Sequence, residues 1–146
     1  MPLTYLLITC MIGAAFAAQP GINAAAAKVL GSPLPATVLS IAITLVSSAV
    51  IMIVSRTTPS WEMVTNLPWW VVLGGLIGVL VVGGGAAIVP ITGAAIFFVC
   101  LIFGQLVGSV LLDHFGAFGL QVREISLLKV GGLLLTLAGV LCVRYG

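Results

Sequence analysis

Three uncharged amides lie inside long apolar runs: Gln19 and Asn23 in AAFAAQPGINAAAAK (residues 14–28), and Gln105 in GQLVGSV. A primary amide offers two donors and an accepting oxygen but exchanges no proton near neutral pH. The chemistry open to it is hydrogen bonding, either to a solute or to a neighbouring helix. In hydrocarbon an unbonded amide is costly, so the face that carries it must look at protein, water or a ligand. Gln19 and Asn23 are four residues apart and share one helical face. Between them stand Pro20 and Gly21. Pro20 cannot donate to the carbonyl of Phe16 and its ring crowds that turn, while Gly21 relaxes the backbone, so the pair is expected to act as a helix break or hinge. The candidate substrate-binding residues are therefore Gln19, Asn23 and Gln105, with bonding between helices as their competing role.

Other chemistry is scarce. One histidine and three carboxylates, Glu62, Asp113 and Glu124, supply neither a nucleophile–base pair nor a cluster of metal ligands. No enzyme activity, metal or cofactor is expected. Cys10, Cys100 and Cys142 each sit in an apolar run and read as small apolar fillers. Five basic residues spread along the chain form no patch that could bind nucleic acid.

The elements that position the amides follow from composition. Of 146 residues 62% are hydrophobic and 5% charged, against roughly 25% charged in a soluble domain, so lipid must solvate most of the surface. Charges and prolines divide the chain into five candidate membrane helices, over residues 3–28, 34–54, 68–88, 94–112 and 125–144, within one transmembrane domain spanning 1–146. No segment alternates as a barrel strand would. The first run, if continuous to Leu30, would measure roughly 42 Å at ~1.5 Å per residue. A hydrocarbon core is ~30 Å thick, so that helix must tilt, bend or protrude. Its first apolar stretch, up to residue 14, is followed by Ala15-Phe16-Ala17, as in a cleavable leader, but no basic residue precedes it and it is expected to be retained.

Gly31-Ser32-Pro33 makes a tight connection to the second helix, where Thr37, Ser40, Thr44, Ser47 and Ser48 form a hydroxyl stripe. That stripe either bonds back to carbonyls one turn earlier or lines a polar path. Trp61, Trp69 and Trp70 flank the polar loop 56–66 and mark the membrane boundary. Residues 63–112 carry no charge, enough for two crossings, with the turn expected at residues 89–93. Helix packing is expected at Gly74 and Gly78, Gly104 and Gly108, and Gly132 and Gly139, while the triple glycine 83–85 permits bending or close backbone approach. Asp113 and His114 read as a cap or a snorkelling pair at the interface, and Lys129 as able to snorkel.

Five crossings put the chain ends on opposite sides. Arg56, Arg123 and Lys129 fall on the N-terminal side, Lys28 and Arg144 on the other. A difference of one basic residue gives almost no instruction on orientation. Two oppositely oriented copies could pair about a two-fold axis in the membrane plane, making from two chains the inverted repeat that larger transporters carry in one.

QPGINA in the first helix, the P-x-x-G turn after a glycine-rich third helix, GQLVGSVLLDHFGAFG at the end of the fourth and the closing ISLLKVGGLLLTLAGVLCVR resemble the YdcZ-like family of the drug/metabolite transporter (DMT) superfamily, a domain of unknown function. The resemblance covers nearly the whole chain. It implies an all-α, multi-pass protein of the bacterial inner (cytoplasmic) membrane, built like half of a ten-helix DMT transporter. Small multidrug-resistance exporters are similar in layout but carry a membrane glutamate in the first helix. Here the comparable region holds Gln19, which disfavours proton antiport of cationic drugs. The reading that follows is a carrier or exporter of a small polar or amphipathic solute, working by alternating access as an antiparallel, dual-topology homodimer in the lipid bilayer. The alternatives are a dual-topology pore and a non-transporting accessory subunit.

Overall fold

The structure, a computed structural model, describes residues 3–146; the first two residues of the domain expected over 1–146 lie outside the described residues. Every regular element among the described residues is helical: α1 Leu3–Phe16, α2 Gln19–Leu30, α3 Pro33–Val54, the short α4 Trp61–Thr65, α5 Val71–Thr92, α6 Ala94–Phe115, a 3-10 turn Ala117–Gly119 and α7 Leu127–Tyr145. Counting α1 and α2 as one run, five segments among the described residues are long and apolar enough to cross a membrane: Leu3–Leu30, Pro33–Val54, Val71–Thr92, Ala94–Phe115 and Leu127–Tyr145.

The chain divides into two compact units, residues 1–91 and 92–146. In both, the usual sorting of side chains is reversed. Leu, Ile, Val and Phe are half-buried or exposed along every span, and the buried hydrophobic residues Ala24, Ala27, Ala36 and Ala86 all lie in the first unit, the second burying none among its described residues. Water would not tolerate so much exposed apolar surface, whereas lipid solvates it, and small residues inside let helices approach closely.

In the first unit, the expected single helix 3–28 is two. The break falls at Ala17-Ala18, and Pro20 occupies the second position of α2, where a missing N–H removes no intrahelical bond. Gly31 at φ 74° ends α2, and the Ser32 hydroxyl accepts from the Leu34 N–H at 3.3 Å to start α3, with Pro33 at its first position. Helix α2 packs along α3. Helix α5 approaches α3 at Gly83, where an added Cβ would lie 3.1 Å from the Thr37 hydroxyl. The third span begins at Val71, not Pro68, and continues through Pro90 to Thr92. Residues 89–92, expected in a turn, are therefore helical, because a proline in the last turn forfeits one backbone bond without stopping the helix. Gly93, at φ 79°, is the single residue between α5 and α6. The connection 56–70 contains α4, capped by the Ser60 hydroxyl accepting from Met63 N–H at 3.3 Å, a helix the sequence reading did not anticipate. Trp61 and Trp69 are 80% and 77% exposed, as side chains at a headgroup boundary would be.

In the second unit α6 extends past residue 112 to Phe115 and is ended by Gly116 in the left-handed region. The chain then folds back: Arg123 N–H donates to the Asp113 carbonyl at 2.9 Å. Ser126 caps α7, and Lys129 sends its ammonium outward to the carbonyls of Glu124 at 2.9 Å and Arg123 at 3.4 Å. Helices α6 and α7 pack together.

Candidate functional site

The Gly31-Ser32 turn makes α2 and α3 antiparallel neighbours, and this hairpin builds a groove of about 330 Å³. Four polar side chains line it: Gln19 and Asn23 from α2, Ser40 and Thr44 from α3. Hairpin register brings them together. Asn23 lies eight residues before Gly31 and Ser40 eight after Ser32; Gln19 and Thr44 each lie twelve away. At a shared rise of ~1.5 Å per residue, equal counts from a tight turn place residues at equal depth. The apolar remainder of the wall includes Ile22, Leu39 and Ile43, with Ala15 from α1.

Asn23 is the unusual member. It is 5% exposed, and its side-chain nitrogen Nδ2 is buried without a hydrogen-bond partner. Buried donors are nearly always bonded, so such a group marks either a strain or a missing partner. Gln19 is half-buried at the first position of α2. The Thr44 hydroxyl donates back to the Ser40 carbonyl at 2.9 Å, which commits its proton and leaves its oxygen as an acceptor at the groove. Thr37, two turns nearer the hairpin, donates to the Pro33 carbonyl at 2.8 Å and is 1% exposed. On α3, Thr37, Thr44 and Ser48 bond to backbone carbonyls as the first reading of the stripe expects, and Ser40 and Thr44 are among the residues lining the groove.

The remaining candidates are placed as follows. Pro20 is buried and Gly21 exposed, two residues beyond the break in the backbone. Gln105 belongs to the second unit and is exposed on α6. Gly74, Gly78, Gly104, Gly108, Gly132 and Gly139 all have open space where a Cβ would stand. Cys10, Cys100 and Cys142 are free and exposed on the apolar surface. Among the described residues no cluster of His, Cys, Asp and Glu could hold a metal. Ser40 and Thr44 are the groove residues that sequence reasoning did not join to Gln19 and Asn23; equal spacing from the Gly31-Ser32 turn is the signal that finds them.

Over residues 4–142 the chain matches the family described as "Putative inner membrane exporter, YdcZ". A curated relative, "Inner membrane protein YdcZ" of Escherichia coli (strain K12), is 30% identical over 83 residues, 57% of this chain and 56% of the relative's own length. The matched stretch is thus little more than half of that relative. No solved structure matches. The resemblance read from QPGINA and the three later stretches is borne out, and with it the multi-pass placement in the bacterial inner membrane. By a match that runs from the start of α1 nearly to the end of α7, the chain belongs to the YdcZ family of inner-membrane proteins.

Proposed function

We propose that the chain carries a small polar or amphipathic solute across the membrane and that the α2–α3 groove is where the solute binds. One observation carries this reading: Asn23, a nine-tenths-buried amide whose side-chain nitrogen lacks a partner, is one of the residues lining a groove large enough for a small molecule. Gln19, Ser40 and Thr44 add polar contacts at matched depth on the facing helices. The break at Ala17-Ala18 leaves α2 joined to α1 by two residues outside regular helix, which suits a segment that must move between inward- and outward-facing states.

The near-even split of basic residues supports insertion in both orientations and assembly as an antiparallel homodimer. Such a dimer would present the α2–α3 groove twice about an in-plane two-fold axis. Alternating access would then come from rocking of one copy against the other.

Two measurements test this. Single cysteines at Thr58 and Phe118, in a background lacking Cys10, Cys100 and Cys142, are labelled with an impermeant thiol reagent. Comparable labelling from both faces at each site is expected, and labelling from one face alone overturns the antiparallel homodimer. In proteoliposomes, flux of a carried solute should saturate and accelerate when solute is present on the far side. Linear, unaccelerated flux would show a pore instead.

A further inference from the structure

The chemistry of the groove selects a class of solute, an inference that rests on the reading above. None of the residues lining the groove carries a formal charge, and none titrates near neutral pH. An ion entering such a site would shed its hydration without meeting a counter-charge, which is the least favourable way to bury charge. The polar atoms are instead arranged for a neutral partner. Asn23 Nδ2 is a buried donor awaiting an acceptor, and Thr44 Oγ1, its proton committed to the Ser40 carbonyl, is an acceptor awaiting a donor. Ile22, Leu39 and Ile43 offer apolar wall beside them. Hairpin register sets Thr44 four residues, or ~6 Å, deeper than Asn23, so a molecule that satisfies both needs an oxygen acceptor and an N–H or O–H donor that point apart along the groove, with an apolar body beside them.

The volume sets its size. About 330 Å³ equals roughly eleven waters at ~30 Å³ each, or on the order of ten to fifteen non-hydrogen atoms once packing is allowed for.

We propose that the α2–α3 groove binds uncharged, amphipathic solutes bearing a primary or secondary amide, or a like pairing of carbonyl with hydroxyl. The solute's carbonyl oxygen takes the Asn23 Nδ2 proton and its N–H or O–H is accepted by Thr44 Oγ1. Because neither the solute nor the groove carries charge, passage of the solute by itself moves no net charge.

The test uses three probes of nearly equal size on one skeleton: phenylacetamide, phenylacetate and phenethylammonium. Binding to purified protein in detergent is measured by equilibrium dialysis up to millimolar concentration, for the wild type, Asn23→Leu and Thr44→Val. Thermal unfolding without probe checks that each variant is folded, and the two variants back each other should one fail to fold. The expected result is phenylacetamide bound at least tenfold tighter than either ion, with the preference lost in Asn23→Leu and weakened several-fold in Thr44→Val. Tighter binding of an ion that still depends on Asn23 overturns the neutral class and leaves the groove as the solute site. Binding of no probe, or binding unchanged in both variants, overturns the class and the groove together.

Discussion

Gly83 is the place where the packing of the first unit can be tested most sharply. A Cβ there would stand 3.1 Å from Thr37 Oγ1, 3.6 Å from its Cγ2 and 3.9 Å from its Cβ. Thr37 has little freedom to yield, being 1% exposed with its hydroxyl bonded to the Pro33 carbonyl at 2.8 Å. In Gly83→Ala the hydroxyl must swing away and lose a bond worth ~0.5–1.5 kcal/mol, or α5 must shift, an overpacking that costs about 1–3 kcal/mol. Against this, alanine gains ~0.8–1 kcal/mol of helix propensity over glycine. The net for Gly83→Ala is about zero if the hydroxyl swings away and a loss of about 1 kcal/mol if α5 shifts, and Gly83→Val, whose branches meet the same wall, loses about 2–3 kcal/mol. Gly74→Ala, with open space around its Cβ, is the control and should be neutral or stabilising. Unfolding free energies in mixed micelles, titrated with SDS and followed by circular dichroism, measure all three. Combining Gly83→Ala with Thr37→Ala removes the collision, so the pair should couple by about 1–2 kcal/mol in a double-mutant cycle. Strict additivity of the two changes, or Gly83→Val as stable as Gly74→Val, would refute a close α3–α5 approach at this point.

Two further predictions concern the second unit. Gly116→Ala places a Cβ at φ 60°, 2.7 Å from Val122 Cγ2 and 3.1 Å from the Leu120 carbonyl oxygen; the valine can rotate but the backbone oxygen cannot, and a destabilisation of about 1–2 kcal/mol is expected in the same SDS titration. Lys129→Met removes the ammonium that bonds the Glu124 and Arg123 carbonyls. Tryptic cleavage after Arg123 should then be several-fold faster, with the helical circular dichroism signal unchanged.

Much of this architecture is legible in the sequence because lipid makes the rules severe. A near-absence of charge forces spans, charges and prolines punctuate them, and Pro20 implies the break that appears just before it. What was not legible has physical causes. Pro90 reads as the centre of a turn, yet a helix tolerates one proline in its final turn, and the positive φ at Gly93 supplies the stop. Helix α4 is only five residues and rests on the Ser60 cap, a signal too local for hydropathy to reveal. Of the site, the amides stood out because amides in apolar runs need a reason. Ser40 and Thr44 did not, since hydroxyls in membrane helices commonly bond their own backbone and only the hairpin register puts these two opposite Gln19 and Asn23. The special burial of Asn23 depends on how closely α2 packs on α3, which no single-chain pattern states.

The most direct test of the groove as a binding site is the stability of Asn23→Leu without ligand. If the amide is held for a solute, its buried donor has no partner in the empty protein, and a leucine of similar size should leave the unfolding free energy unchanged or raise it by about 1 kcal/mol. If the amide instead joins helices, the same substitution removes a bond and the protein should lose about 1 kcal/mol or more. The first result is expected; the second would contradict the assignment of Asn23 to a solute.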